Sequence, residues 1–480
     1  MFMRMFYNQQ LAQASYLVGC AATGEALVID PNRDLDQYFA LAEREGFRIS
    51  AVTETHIHAD FVSGARELAA RGGARLYLSA EGTPDWQYDY AARAGATLLR
   101  DGDTFMVGNI RLAVMHTPGH TPEHIAFLLT DTAHADQPMG IFTGDFVFVG
   151  DVGRPDLLER AAGYTGTMEA GARQLYRSLG RFRTLPEYLQ VWPGHGAGSA
   201  CGKALGAVPQ STLGYEKRFN WAFQVQGEDE FVEQVLAGQP SPPAYFAQMK
   251  RINKAGPALL STLPAPRHLH LHDLREVLSA GTMVVDTRPA DAYAGGHLPG
   301  TINIPLGPSF VTLAGWQLPY DRPFALIVDE HDDLAAVREL QLIGLDDLAG
   351  YASSGVLAAW AAQGHEPATV QRTDPAGLFD LLSREDVMLL DVREPAEVAL
   401  GAIDGSRAIP LGYLTRRLAE VPRDRTIAVY CQSGVRSSIA ASLLVGAGYP
   451  RVVDLVGGFD AWRRHAWAVP VSARAQAPAR

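Results

Sequence analysis

The sequence predicts a multidomain α/β protein, and three observations predict it. Apolar strand-like runs alternate with helix-like runs through the first half, as where 49–52 precedes a helical pattern over 62–70. The second half repeats itself: Asp286-Thr287-Arg288 returns as Asp391-Val392-Arg393, 296–305 as 401–410, and Ala359-Trp360 as Ala461-Trp462. An offset of about a hundred residues marks tandem domains, not short solenoid repeats. The 480 residues are enough for about three domains.

In order along the chain, 16–30 reads as two strands around the Ala22-Thr23-Gly24 turn, ending at Asp30-Pro31, and 36–45 as an amphipathic helix. Strands follow over 49–52, near 75–78 and over 108–115. Between 238 and 266 the composition shifts to Pro and Gly, which reads as a boundary and a linker, partly ordered because Tyr245, Phe246 and Met249 favour cover. Beyond it, strands such as 387–390 and 426–430 alternate with helices such as 438–446, the pattern of a parallel sheet.

With 47% apolar and 20% charged residues the composition is that of a globular protein. The net charge of −12 argues against a nucleic-acid surface, which requires clustered Lys and Arg. No apolar run approaches the ~20 residues that cross a bilayer, so no membrane span is expected. The first ten residues show neither an apolar core nor a cleavage signature, so no signal peptide is expected. Three scattered cysteines, Cys20, Cys201 and Cys431, make no disulfide framework and fit a cytoplasmic location.

The stretch Thr55-His56-Ile57-His58-Ala59-Asp60-Phe61 leaves the end of a strand with two imidazoles and a carboxylate at alternate positions. His120, Asp145 and His195 follow in the same setting, each after an apolar run and beside Gly or Pro turns. One such stretch is ordinary surface polarity, whereas four in series point to a metal site at one sheet edge. Arg154 and Asp156, just past Asp145, either meet an anionic substrate or form a salt bridge at a helix N-terminus.

This series resembles the metallo-β-lactamase superfamily over roughly residues 1–245. The resemblance implies an αββα sandwich, and the shift to Pro and Gly sets the linker after it at 246–266. Binuclear members of the superfamily have a His directly after the Asp; here that position is Phe61. A second ion would be left with Asp60, His195 and a share of Asp145, so one metal is expected. His58 is either a further ligand or an orienting group beside the metal.

In the second repeat a strand runs into Cys431-Gln432-Ser433-Gly434-Val435-Arg436 and then a helix. A cysteine there meets inward-pointing N–H groups and the positive end of a helix dipole, both favouring thiolate, and Arg436 adds a cation. Both repeats resemble the rhodanese domain, which assigns 267–368 and 369–473 to two rhodanese-like domains and 474–480 to a tail. Four residues separate Cys431 from Arg436, the spacing of the rhodanese cradle and one fewer than in phosphatases, so a sulfane sulfur is the expected cargo and 432–435 its binding loop. The first repeat is blank: aligning 325–328 on the later strand puts Asp329 at the Cys431 position and Leu334 at that of Arg436, with Asp332 and Asp333 making an anion pocket repulsive.

Two histidines and one carboxylate with open positions is the arrangement associated with non-haem Fe(II) and oxygen, and His56, His120 and Asp145 would form it. Nearly the whole chain resembles the persulfide dioxygenase–sulfurtransferase fusions. That resemblance implies one Fe(II) per chain, a glutathione- or coenzyme A-type persulfide oxidised with O2 to sulfite and thiol, and Cys431 passing sulfur to sulfite to give thiosulfate. The alternative is a zinc thioester hydrolase of the glyoxalase II type fused to a sulfurtransferase. Cys201, six residues after His195 and near Lys203, is either a sulfur relay or a packed loop residue; Cys20, His116, His124 and His134 read as structural or exposed. A homo-oligomer stays open.

Overall fold

The computed structural model describes residues 1–162, 166–203, 205–239, 241–329, 333–384 and 386–465, so the expected 474–480 tail lies outside the described residues. The chain divides into two compact units, Met1–Pro264 with Arg338–Asp346, and Ala265–Val337 with the remainder.

In the first unit Phe2–Asn8, Gln13–Cys20, Glu25–Ile29, Arg48–Thr53, Arg75–Ser79 and Thr97–Leu99 form one six-stranded sheet in chain order. A second six-stranded sheet runs from Ser211–Thr212 through Gln190–Pro193, Gly140–Gly144, Ile125–Asp131 and Ile110–His116 to Thr104–Val107. Side chains alternate across the first sheet: Val18, Leu27 and Ile29 meet Leu112, Phe127 and Phe142 of the second sheet. Their neighbours Leu17, Ala26 and Val28 face the other way, onto Tyr38, Leu41 and Leu68 of the covering helices. The second sheet buries its outer face under Thr167–Phe182 and Glu228–Leu236. Apolar residues on both faces explain why these strands read as continuous apolar runs. The four layers are the expected αββα sandwich.

The 246–266 linker is corrected in its first half. Phe246–Ala255 is a helix of the first unit, with Phe246, Met249 and Asn253 buried on one face. Burial of that face outweighs the Pro and Gly around it, and Gly256 closes the helix.

In the second unit both repeats are parallel sheets. The first has the order Ile302–Asn303, Met283–Asp286, Phe324–Val328, Leu348–Ser353, and the second Gln371–Thr373, Val452–Leu455, Thr426–Tyr430, Val387–Asp391, Arg407–Ala408. The repeated Asp-x-Arg does the same job twice. Arg288 pairs with Asp286 and donates to the Gly296 carbonyl at 2.9 Å; Arg393 pairs with Asp391 and donates to that of Gly401 at 2.8 Å.

Candidate metal centre and cysteine loop

His56, His120, Asp145 and His195 each lie just beyond the C-terminal end of a strand, and all four are buried. Asp30 builds the floor. Held at φ 51°, in a region a short polar side chain tolerates, it accepts from Thr55 N at 2.6 Å and from Thr55 Oγ1 at 2.9 Å. Since that hydroxyl donates to Asp30, its oxygen accepts from His56 Nδ1, 3.0 Å away. His120 Nδ1 donates to the Arg154 carbonyl at 3.0 Å. Both imidazoles therefore turn Nε2 lone pairs inward, 3.8 Å and 3.5 Å from Asp145 Oδ2.

Among the described residues, His56 Nε2, His120 Nε2 and both Asp145 oxygens are buried with no hydrogen-bond partner, and the three side chains offer ligand atoms all within 4.8 Å of one another. Burial, then the neighbouring imidazoles, holds His56 well below its ordinary pKa; burial also lowers His120. Neutral histidine is the ligating form. Two nitrogens and one carboxylate, unpaired and converging, fit a divalent transition ion. This is a His/Asp metal site.

His58 falls outside this group. Its Nε2 faces Asp30 Oδ1 at 3.2 Å, and although burial disfavours its charge, Asp30 and Glu54 raise its pKa to about 9. Phe61 is fully buried with its ring 4.4 Å from that of His58. Asp60, His195 and Cys201 form a second convergent group. His195 Nε2 lies 3.2 Å from Asp60 Oδ2 and 3.4 Å from Asp145 Oδ1, so Asp145 is shared between the two groups. The sulfur of Cys201 adds a donor that the count of Asp60, His195 and Asp145 omitted. Burial, then Asp145 and Asp60, push this thiol well above its ordinary pKa. Cys201 is buried within this donor group.

Arg154 is corrected as a substrate contact. It is fully buried and holds both Asp156 oxygens at 2.7 Å while donating to the Ala200 carbonyl at 3.1 Å. The carboxylate two residues on satisfies the guanidinium in bidentate fashion and keeps it from an incoming anion. Sequence reasoning also missed Glu123, whose Oε1 accepts from Ile57 N at 2.8 Å, and Asn253. His124 is buried, accepting from Asp145 N at 3.1 Å; His116 donates to the Pro122 carbonyl. His134 is exposed beside Asp131, and Cys20 is buried in the core between the sheets.

In the second repeat, Thr426–Tyr430 delivers Cys431 to the start of the helix Val435–Gly446. Gly434 N donates to Cys431 Sγ at 3.1 Å. Gly434 has φ 102° and a Cβ there would sit 3.1 Å from Gly457 N, so the turn requires glycine. Arg436 is fixed by Glu397 through two 2.6 Å contacts, which offset its charge. The Gln432 side chain is held between Arg393 at 3.0 Å and Asp460 at 2.5 Å, leaving Ser433 and Val435 as the exposed rim.

The blank repeat is shifted by one residue from the expected alignment. Asp286 pairs with Ile327 as Asp391 pairs with Tyr430, so Val328, not Asp329, stands at the Cys431 position. A buried valine cannot carry sulfur. Leu334 is exposed, while Asp332 and the Asp333 side chain lie outside the described residues.

Residues 9–195 match the metallo-β-lactamase superfamily, and 270–362 and 374–465 each match the rhodanese-like domain. A solved metallo-β-lactamase from Staphylococcus aureus is 47% identical, covering 74% of this chain and 99% of that one, with a TM-score of 0.66. A sulfurtransferase of Allochromatium vinosum is 45% identical over 85 residues, 18% of this chain and 79% of the relative. A hydroxyacylglutathione hydrolase of Gloeobacter violaceus is 36% identical over 176 residues, 36% of this chain and 60% of the relative. The chain thus belongs to the metallo-β-lactamase superfamily, with two rhodanese-like domains continuing the same polypeptide.

Proposed function

We propose that the chain is a persulfide dioxygenase joined to a sulfurtransferase, acting on a glutathione- or coenzyme A-type persulfide in the cytoplasm. The observation that carries this reading is the convergence of His56, His120 and Asp145 with His58 turned to Asp30 and Phe61 in place of a further donor. One Fe(II) bound there supplies the redox chemistry with O2. The two imidazoles and one carboxylate would hold the ion and supply fewer donors than it can take, so that both reactants could reach it. Thr55 and the Arg154 carbonyl hold the rings so that neither Nε2 swings away. The overall change balances as persulfide, O2 and water giving thiol, sulfite and two protons.

At the second site the Cys431 sulfur attacks the outer sulfur of a persulfide. The sulfur–sulfur bond breaks, the thiolate leaves, and Cys431 holds the sulfane sulfur. Sulfite then attacks that sulfur, giving thiosulfate and regenerating Cys431. The Gly434 N–H and the helix start stabilise negative charge on sulfur in both steps.

One observation favours a second reading, zinc-dependent thioester hydrolysis. Asp60, His195 and Cys201 form a donor group beside the first, and the Gloeobacter relative is a hydroxyacylglutathione hydrolase. Oxygen uptake on adding glutathione persulfide, with sulfite and thiosulfate as products, supports the dioxygenase. Anaerobic, zinc-dependent cleavage of an acyl-glutathione with no oxygen uptake supports the hydrolase.

A further inference from the structure

The loop after His56 is held by residues far from it in sequence. Ile57 N donates to Glu123 at 2.8 Å, and Val62 N donates to the Leu342 carbonyl at 2.7 Å. Asn253 uses its whole amide on this loop. Its Nδ2 donates to the His58 and Phe61 carbonyls at 2.8 and 2.7 Å, and its Oδ1 accepts from Ser63 N at 2.9 Å. Asn253 is buried, so without it three main-chain groups flanking Asp60 lose their partners away from water.

Leu342 belongs to the stretch Arg338–Asp346, which is part of the first unit yet falls inside the 270–362 rhodanese-like match. Within that unit the stretch is anchored next to the site floor. Arg33, itself buried, takes both Asp346 oxygens at 2.7 and 2.9 Å and the Gln341 carbonyl at 3.1 Å. Gly344 has φ +71°, and a Cβ there would lie 2.8 Å from Ile252 Cδ1 and 3.0 Å from Val62 Cγ2. Neither Asn253 nor Leu342 lies within the 9–195 match.

We propose that residues 338–346 of the cysteine-less rhodanese repeat, with Asn253, are positioning elements for the metal loop, so that metal binding and the order of 338–346 are thermodynamically linked. Residues 338–346 then complete the metal loop from within the first unit. Linkage is reciprocal: a segment that favours the metal-binding loop is itself ordered by the metal. This holds whichever reaction the site performs.

The test uses the full-length chain and Co(II) as probe, read by its visible absorption. Asn253→Asp and Gly344→Ala are compared with Val235→Ala, a core truncation under the outer face of the second sheet. Both loop variants are expected to weaken Co(II) binding about tenfold or more and to shift the absorption bands. Val235→Ala is expected to lower Tm and leave affinity and bands alone. In the wild type, Co(II) is expected to slow amide exchange over 340–346. Wild-type affinity and bands in folded Asn253→Asp or Gly344→Ala would overturn the proposal. Unchanged exchange over 340–346 would also overturn it, and decides alone if both variants fail to fold.

Discussion

The main-chain carbonyl of Arg154 accepts a hydrogen bond from His120 Nδ1 at 3.0 Å, while its guanidinium grips Asp156 through two 2.7 Å contacts. A residue whose charge suggested a substrate clamp thereby sets the tautomer and angle of a metal ligand. Its side chain fastens its own backbone, and that backbone fastens His120.

Asp156→Ala leaves the Arg154 charge buried without its carboxylate. The expected loss of stability is about 3–5 kcal/mol, read as a lower urea midpoint with an unchanged slope. A loss below about 1 kcal/mol would mean the guanidinium reaches solvent and is free to meet an anion.

Cys431→Ser separates the two sites. Oxygen uptake with glutathione persulfide is expected to stay within about twofold of wild type, because the serine is isosteric and remote in the reaction sequence. Product analysis is expected to shift from thiosulfate to sulfite. Collapse of oxygen uptake would show that the rhodanese cysteine takes part in the first reaction.

Glu123 governs a pH dependence. Burial raises its pKa from 4.5 to about 7, against the lowering pull of Ile57 N, Thr121 and Lys250. A folded-state pKa above the unfolded one gives stability that is fully present below pH 4.5 and is lost as pH rises through 7. The loss is on the order of 3 kcal/mol. Glu123→Gln keeps an acceptor for Ile57 N and removes this titration. Urea unfolding of wild type and variant should therefore diverge across that window; parallel curves would show that Glu123 is ionised throughout.

What was legible in the sequence was local. His56, His120 and Asp145 announce themselves because each ends an apolar strand beside a turn residue, and Cys431 because a strand, a Gly-containing loop and an Arg share one short window. Asn253 and Leu342 have no such signal: a buried asparagine and a main-chain carbonyl matter only through groups some two to three hundred residues away. Arg154 misleads because a salt bridge to the second residue on looks, in sequence, like a charged loop. Cys201 was legible as a cysteine six residues after His195, but not as a donor converging with Asp60 and His195, because that depends on how the loop folds back. The blank repeat slips by one because apolar strands align equally well in either register, and only the pairing of Asp286 with Ile327 decides.

A lone iron at His56, His120 and Asp145 underlies the proposed oxygen chemistry. Elemental analysis of the full-length chain purified from iron-replete cells tests it most directly. About one iron per chain is expected, lost in His120→Ala and retained in Cys201→Ala. Two zinc ions per chain, with one of them lost in Cys201→Ala, would contradict it.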